Sequence, residues 1–185
     1  MAKTVHAATL TLENWFVELD NYDNRIPLHV LTEGLKRLRM DVAEIRPFLQ
    51  FSFERYRRNL MRAGPAYHAL ILCWRSGQRS PIHDHRGSAC GVRVLSGEAT
   101  ETIFEMTDEG HVFPVRTRKL GEGFICATQD SDIHQLSNLQ SNKADLVTLH
   151  IYSPPLLVMG QYSLTDTIVR EFDDEVHAFA EGAGI

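Results

Sequence analysis

The chain has 185 residues, 43% hydrophobic and 23% charged, with a formal net charge of -5 at neutral pH, which suits one domain with a single core and speaks against nucleic acid or an anionic membrane as a partner. No run approaches the roughly 18 apolar residues of a membrane span, and no basic region followed by an apolar core opens the chain, so a cytoplasmic location is expected. Three cysteines, at 73, 90 and 126, are too few and odd in number for a secreted disulfide framework.

From Thr11 to about Leu49 the apolar residues recur at helical spacing, as in Leu12, Trp15, Phe16 and Leu19, then Leu28, Leu31, Leu35 and Leu38. This predicts two or three short helices forming a cap, about residues 1–50. Pro27 suits the first turn of the second helix, Asp41 the N-cap of the third, and Pro47 should end or bend what precedes it. Beyond Tyr56 short apolar runs take over: 69–74, 91–95 and 145–152 each read as a strand. Ser76-Gly77, Ser96-Gly97, Glu109-Gly110 and 121–123 punctuate them as turns, so about 51–160 reads as a small β-barrel or jelly roll. After Pro155, the stretch from Tyr162 to Arg170 is expected to continue the sheet, and Glu171 to Ala180 has helical composition. One domain spanning 1–185, with a C-terminal strand and tail from about 161, accounts for the whole chain.

The chemistry-bearing pattern is Ser80-Pro81-Ile82-His83-Asp84-His85, matched about fifty residues later by Asp132-Ile133-His134. In a strand, residues i and i+2 share a face, so His83 and His85 can both aim inward while Asp84 points away. His134 from a neighbouring strand completes three neutral imidazoles, a donor set that holds a divalent ion and leaves coordination positions open. The frame around them is Gly77, five residues, His83-x-His85, four residues, Cys90, six residues, Gly97.

Further residues join this set. Thr148, His150 and Tyr152 alternate with Leu149 and Ile151, placing a polar column on one strand face, where hydrogen bonds could fix the Tyr152 hydroxyl as a proton donor or acceptor. Ser153-Pro154 is a candidate cis peptide bond. Arg57 or Arg58, if turned inward, offers a fork of donors that matches a carboxylate, and Tyr56 a further hydroxyl; periodicity does not choose between the arginines. Cys90 stands where many metal-binding barrels of this kind, the cupins, carry a glutamate ligand. An all-imidazole set leaves the ion more positive than one including a carboxylate, which favours a soft anionic donor such as a thiolate. Otherwise Cys90 is a small buried hydrophobe.

In combination, Tyr56-x-Arg58-Asn59-Leu60, Leu72-Cys73-Trp74, Ile82-His83-Asp84-His85, Cys90, Glu101-Thr102 and Leu149 through Pro155 resemble the cysteine dioxygenases of the cupin superfamily. The resemblance covers roughly Tyr56 to Pro155. It implies a mainly β fold, a cupin-type jelly-roll barrel with an N-terminal helical cap. It also implies ferrous iron, Fe(2+), on His83, His85 and His134, and L-cysteine chelated through sulfur and amine with its carboxylate on Arg58. Cys90 and Tyr152 would correspond to the pair joined by a thioether in animal members, with His150 supporting Tyr152. Gln129 and Ser131 replace the proline and glycine usual in the second cupin half-motif, as in other members of this family.

The function expected is a thiol dioxygenase of cysteine catabolism that converts L-cysteine and dioxygen to cysteine sulfinic acid, acting as a monomer. The alternatives are a dioxygenase of another small thiol, 3-mercaptopropionate or cysteamine, and a non-catalytic metal- or ligand-binding cupin.

Overall fold

The computed structural model describes residues 10–129, 133–173 and 175–178. A two-residue strand, β1 (Leu10–Thr11), runs into α1 (Leu12–Leu19), whose first turn is capped by the Thr11 hydroxyl accepting from the Asn14 amide at 3.3 Å. Leu12, Trp15, Phe16 and Leu19 are its buried face, as their spacing predicts. Helix α2 (Leu28–Arg37) starts one residue later than expected: Pro27 is extended, and its carbonyl accepts from the Val30 and Leu31 amides, so it caps the helix from outside. Leu38 is fully buried but belongs to β2 (Leu38–Arg39), which pairs in parallel with β1. Asp41 caps α3 (Val42–Ile45) reciprocally with Glu44, and Pro47 sits in the 3-10 turn Arg46–Phe48 that follows. Asp20, just past α1, accepts from the Tyr67 hydroxyl at 2.9 Å and from the Arg62 guanidinium, which ties the cap to the barrel.

The barrel comprises β3 (Arg57–Ala63), β4 (His68–Trp74), β5 (Ile82–His83), β6 (Ala89–Ser96), β7 (Ala99–Met106), β8 (Val112–Leu120), β9 (Ile125–Gln129), β10 (Ile133–Ser137), β11 (Leu146–Ser153), β12 (Val158–Tyr162), β13 (Arg170–Asp173) and β14 (Val176–Ala178). They form two six-stranded sheets, ordered β14-β3-β4-β11-β6-β9 and β13-β12-β5-β10-β7-β8. The turn glycines Gly77, Gly97, Gly110 and Gly123 all take positive φ, which explains their residue type.

Alternation along the first sheet divides the core in two. Ala69, Ile71 and Cys73 of β4, with Val147, Leu149 and Ile151 of β11, pack against the helices. Leu70, Leu72, Trp74, Cys90, Val92, Val94 and Tyr152 face inward toward the second sheet. Gly91 is where α2 lies closest on β6: a Cβ there would sit 2.9 Å from Leu35 Cδ1. Arg93 locks the same contact by donating from Nη1 to the Leu35 and Leu38 carbonyls at 3.1 and 2.8 Å, which the end of α2 leaves without helical partners.

The C-terminal part departs from the sequence expectation. The sheet continues only to Tyr162, and 163–169 lie outside any strand. Residues 171–173 and 176–178 are strands rather than helix, while 179 and 180 lie outside the described residues. Open sheet edges override local helical composition here: β13 pairs antiparallel with β12, and β14 pairs parallel with β3, with Val176 opposite Arg58. Among the described residues, no helix is long and apolar enough to cross a membrane.

Candidate metal centre

His83 lies on the short strand β5, His85 just beyond it, and His134 on β10 directly opposite His83 in the antiparallel register. All three are buried, and their candidate ligand atoms lie within 4.8 Å of one another. Ring centroids are 4.7 Å apart for His83 and His134, 4.9 Å for His85 and His134, and 5.4 Å for His83 and His85. Asp84 points the other way, accepting from the Gly160 amide at 2.9 Å and the Tyr162 hydroxyl at 2.8 Å, so it fastens β12 beside the ligand strand. Gly160 has to be glycine for this, since a Cβ would fall 2.7 Å from Asp84 Oδ2. Asp132, in the second half of the motif, lies outside the described residues.

Hydrogen bonds on the far nitrogens orient two of the rings. His83 Nδ1 is 3.0 Å from the Pro81 carbonyl, which can only accept, so Nδ1 carries the proton and Nε2 the lone pair. His134 Nδ1 lies 3.0 Å from Glu101 Oε1, and Arg118 Nε donates to the other carboxylate oxygen at 2.5 Å. Burial raises the proton affinity of Glu101, but the bonds from His134 and Arg118 outweigh it and keep the carboxyl below its ordinary range. His85 Nδ1 is buried with no hydrogen-bond partner among the described residues. Burial, then the charge of neighbouring rings, lowers His83 to about 3 and His85 well below its usual value. Three convergent imidazoles, two of them oriented by an acceptor on the far nitrogen and one with a nitrogen left over, fit a divalent first-row ion.

The polar column of β11 faces the same space. Trp74 Nε1 donates to Thr148 Oγ1 at 3.1 Å, Thr148 Oγ1 lies 2.9 Å from His150 Nε2, and His150 Nδ1 lies 2.9 Å from the Tyr152 hydroxyl. Burial, then Arg58, holds the His150 pKa well below the usual imidazole value. Tyr152 is the register partner of Cys90, and both side chains line the cavity. Burial drives the Cys90 thiol well above its ordinary pKa, so it stays protonated. Cys90 faces inward and Gly91 outward to α2. Ser153-Pro154 is cis, as its position suggested.

Strand alternation also separates the two arginines. Arg58 is 2% exposed, donates from Nη2 to the Leu156 carbonyl at 3.2 Å, and has its Cζ 5.6 Å from the Tyr152 ring centre. Arg57 points to the opposite face and does not line the cavity. Tyr56 stacks on Trp74 with centroids 4.1 Å apart and planes 12° apart. One compact cavity is thus bordered by Tyr56, Arg58, Cys90, Tyr152 and the three imidazoles.

Three contributors escaped the sequence reading: Glu101 as the acceptor for His134, Arg118 behind it, and Trp74 at the head of the β11 column. Glu101 and Trp74 stand in motifs that carry the resemblance, without these roles being read from them, and Glu101 is also a carboxylate inside an alternating strand where an apolar residue is the rule. Arg118 left no trace.

A jelly roll that gathers three buried imidazoles between its sheets defines a cupin with a candidate mononuclear metal centre. Residues 6–165 match the family model for cysteine dioxygenase type I, and the chain belongs to that family. Cysteine dioxygenase type 1 from Rattus norvegicus is 36% identical over 117 residues, covering 61% of this chain and 58% of the rat protein. The Homo sapiens protein is 35% identical over 119 residues, 62% of this chain and 59% of its own. The match thus spans less than two thirds of these relatives. Among solved structures, a Klebsiella pneumoniae protein with a double-stranded β-helix domain superposes with a TM-score of 0.53 at 14% identity, covering 64% of this chain and 88% of its own. A Thermus thermophilus protein gives 0.50 at 15%, with 60% and 94% covered. At such identities the likeness speaks for the fold alone.

Proposed function

We propose that this chain is an iron-dependent thiol dioxygenase that oxidises L-cysteine with dioxygen to cysteine sulfinic acid. The observation that carries the reading is a buried guanidinium, Arg58, in the same cavity as three convergent imidazoles, within a member of the cysteine dioxygenase family. His83, His85 and His134 would hold Fe(2+). When bound, ferrous iron supplies the acidity that makes a thiol of ordinary pKa near ~8.5 a thiolate at neutral pH, and the redox capacity that dioxygen requires.

The protein's own groups do the rest. Arg58 binds the substrate carboxylate with its fork of donors, and Tyr56, held flat on Trp74, adds a hydroxyl that orients it. The indole N–H can only donate. If the Thr148 hydroxyl then donates to His150 Nε2, His150 Nδ1–H donates to the Tyr152 oxygen, and the Tyr152 proton is directed toward Cys90 and the cavity. Tyr152 holds that proton where the sulfur is oxidised. The facing pair Cys90, a free thiol here, and Tyr152 would be the two sides of a thioether crosslink formed in the working enzyme. The crosslink joins Sγ to the ring and surrenders two hydrogens to dioxygen. We read the working unit as a single-domain cytoplasmic monomer.

Oxygen uptake by the anaerobically iron-loaded protein tests the proposal against L-cysteine, 3-mercaptopropionate and cysteamine. The highest kcat/KM is expected with L-cysteine, with sulfinic acid as the product by mass spectrometry. Preference for either other thiol would reassign the substrate. No uptake with any of them would leave a metal-binding cupin without this activity.

A further inference from the structure

The hairpin of β7 and β8 forms the outer edge of its sheet, and its inner face carries an ion pair that the proposed chemistry does not use. Glu101 and Arg118 are register partners on the two strands. The Glu101 side chain is 4% exposed and that of Arg118 33%, so the pair runs from the barrel interior to its rim. Each carboxylate oxygen has a different partner: Oε1 meets His134 Nδ1 at 3.0 Å, and Oε2 receives Arg118 Nε at 2.5 Å. The guanidinium is itself held, with its Cζ 5.5 Å from the Phe124 ring centre.

This arrangement constrains the Glu101 carboxylate at both oxygens. With only His134 as partner, a buried carboxylate can rotate about its terminal torsion, which is broad and roughly two-fold. A second donor on the opposite oxygen removes that freedom. The carboxylate plane then stays aimed at His134, and the ring keeps its proton on Nδ1 and its lone pair on Nε2. Partners that orient metal-binding imidazoles in this way typically change metal affinity by about 10- to 100-fold when removed.

We propose that Arg118 is a positioning residue for the candidate metal centre: from the barrel rim it fixes the Glu101 carboxylate, which in turn sets the tautomer and orientation of His134. The proposal rests on the reading that His83, His85 and His134 hold a divalent ion. It makes one ligand of a buried site dependent on a side chain that is reachable from outside the cavity.

Two readouts test it, on wild type, Arg118→Gln, Arg118→Lys, Glu101→Gln and the Arg118→Gln/Glu101→Gln double variant. Nitrogen-15 histidine NMR of the metal-free protein reads the tautomer: wild type should show His134 as Nδ1–H, Arg118→Gln a mixture, and Arg118→Lys a return toward wild type. Co(II) titration reads affinity: Arg118→Gln should bind about tenfold more weakly or worse, yet add less than about twofold in the Glu101→Gln background. A merely structural arginine would impose the same penalty in both backgrounds and leave the tautomer alone, and either result overturns the role. If Arg118→Gln does not fold, an unchanged His134 signal and Co(II) affinity in Glu101→Gln overturn it equally. Wild type that keeps the Nδ1–H tautomer but takes up no Co(II) overturns the metal reading itself. Wild type that binds Co(II) normally while Arg118→Gln does too overturns only the part given to Arg118.

Discussion

Truncating Arg58 should separate thiols that carry a carboxylate from those that do not. The side chain is 2% exposed, so a carboxylate meeting it would do so out of bulk water. Removing one member of a buried, hydrogen-bonded charge pair costs about 2–5 kcal/mol. That corresponds to about 30-fold to several thousand-fold in apparent affinity. Arg58→Ala should therefore raise KM for L-cysteine by at least about 30-fold, within that range. Cysteamine has the same thiol and amine and no carboxylate, so its KM should move little. The guanidinium also lies 5.6 Å from the Tyr152 ring centre, and its loss loosens that ring for every substrate. That disturbance falls on kcat for both thiols and cancels in the ratio of their KM values. The assay is initial-rate oxygen uptake on iron-loaded wild type and variant, with cysteamine followed as a competitor of L-cysteine if its own turnover is slow. A KM ratio unchanged within about threefold would refute the reasoning, because the guanidinium would then bind no substrate carboxylate.

Tyr152→Phe removes the hydroxyl bonded to His150 at 2.9 Å, and turnover should fall about 100-fold or more, while iron content by atomic emission stays at the wild-type level; undiminished turnover would take Tyr152 out of the mechanism. Gly91→Val forces a side chain against Leu35, and such overpacking costs about 1–3 kcal/mol, to be read as a lower urea midpoint; an unchanged midpoint would mean that α2 does not rest on β6. Acid should weaken the metal-free fold. Burial lowers His83 to about 3 and His150 well below its usual value, whereas the unfolded chain titrates near ~6.5, so the unfolded state binds more protons between those values. Stability is then full above pH ~6.5 and falls as pH drops, by up to about 1.4 kcal/mol per pH unit for each imidazole. Urea midpoints at pH 7.5 and 5.5 check the sign, and a midpoint that rises in acid would contradict it.

Much of this was legible in the residues because periodicity reports which face a side chain takes. The helical spacing of Leu12, Trp15, Phe16 and Leu19, and the alternation of Thr148, His150 and Tyr152 with Leu149 and Ile151, each state a face, and the fold uses those faces. The same rule told that His83 and His85 share one side while Asp84 leaves it, though not that Asp84 would be spent fastening Gly160 and Tyr162. What failed was the C-terminal segment, where composition favoured helix. The deciding force there was the unpaired backbone at the edges of β12 and β3, which is a property of the assembled sheets and not of any local window of sequence.

The supporting set around the imidazoles was illegible for a related reason. Arg57 and Arg58 are neighbours with the same side chain, and only the pairing of Arg58 with Leu72 and Val176 places one in the cavity and the other outside. Glu101 and Arg118 are 17 positions apart and meet only through the register of the β7–β8 hairpin, which shifts between Ile103 and Phe104. A shift of one residue turns every side chain beyond it to the other face. The ligands of this site sit in a compact motif that a sequence displays, whereas the groups that orient them depend on register. It follows that an insertion or deletion of one residue in the β7–β8 hairpin between Glu101 and Arg118 would keep the His83, His85 and His134 motif intact and still cost the site its third orienting bond.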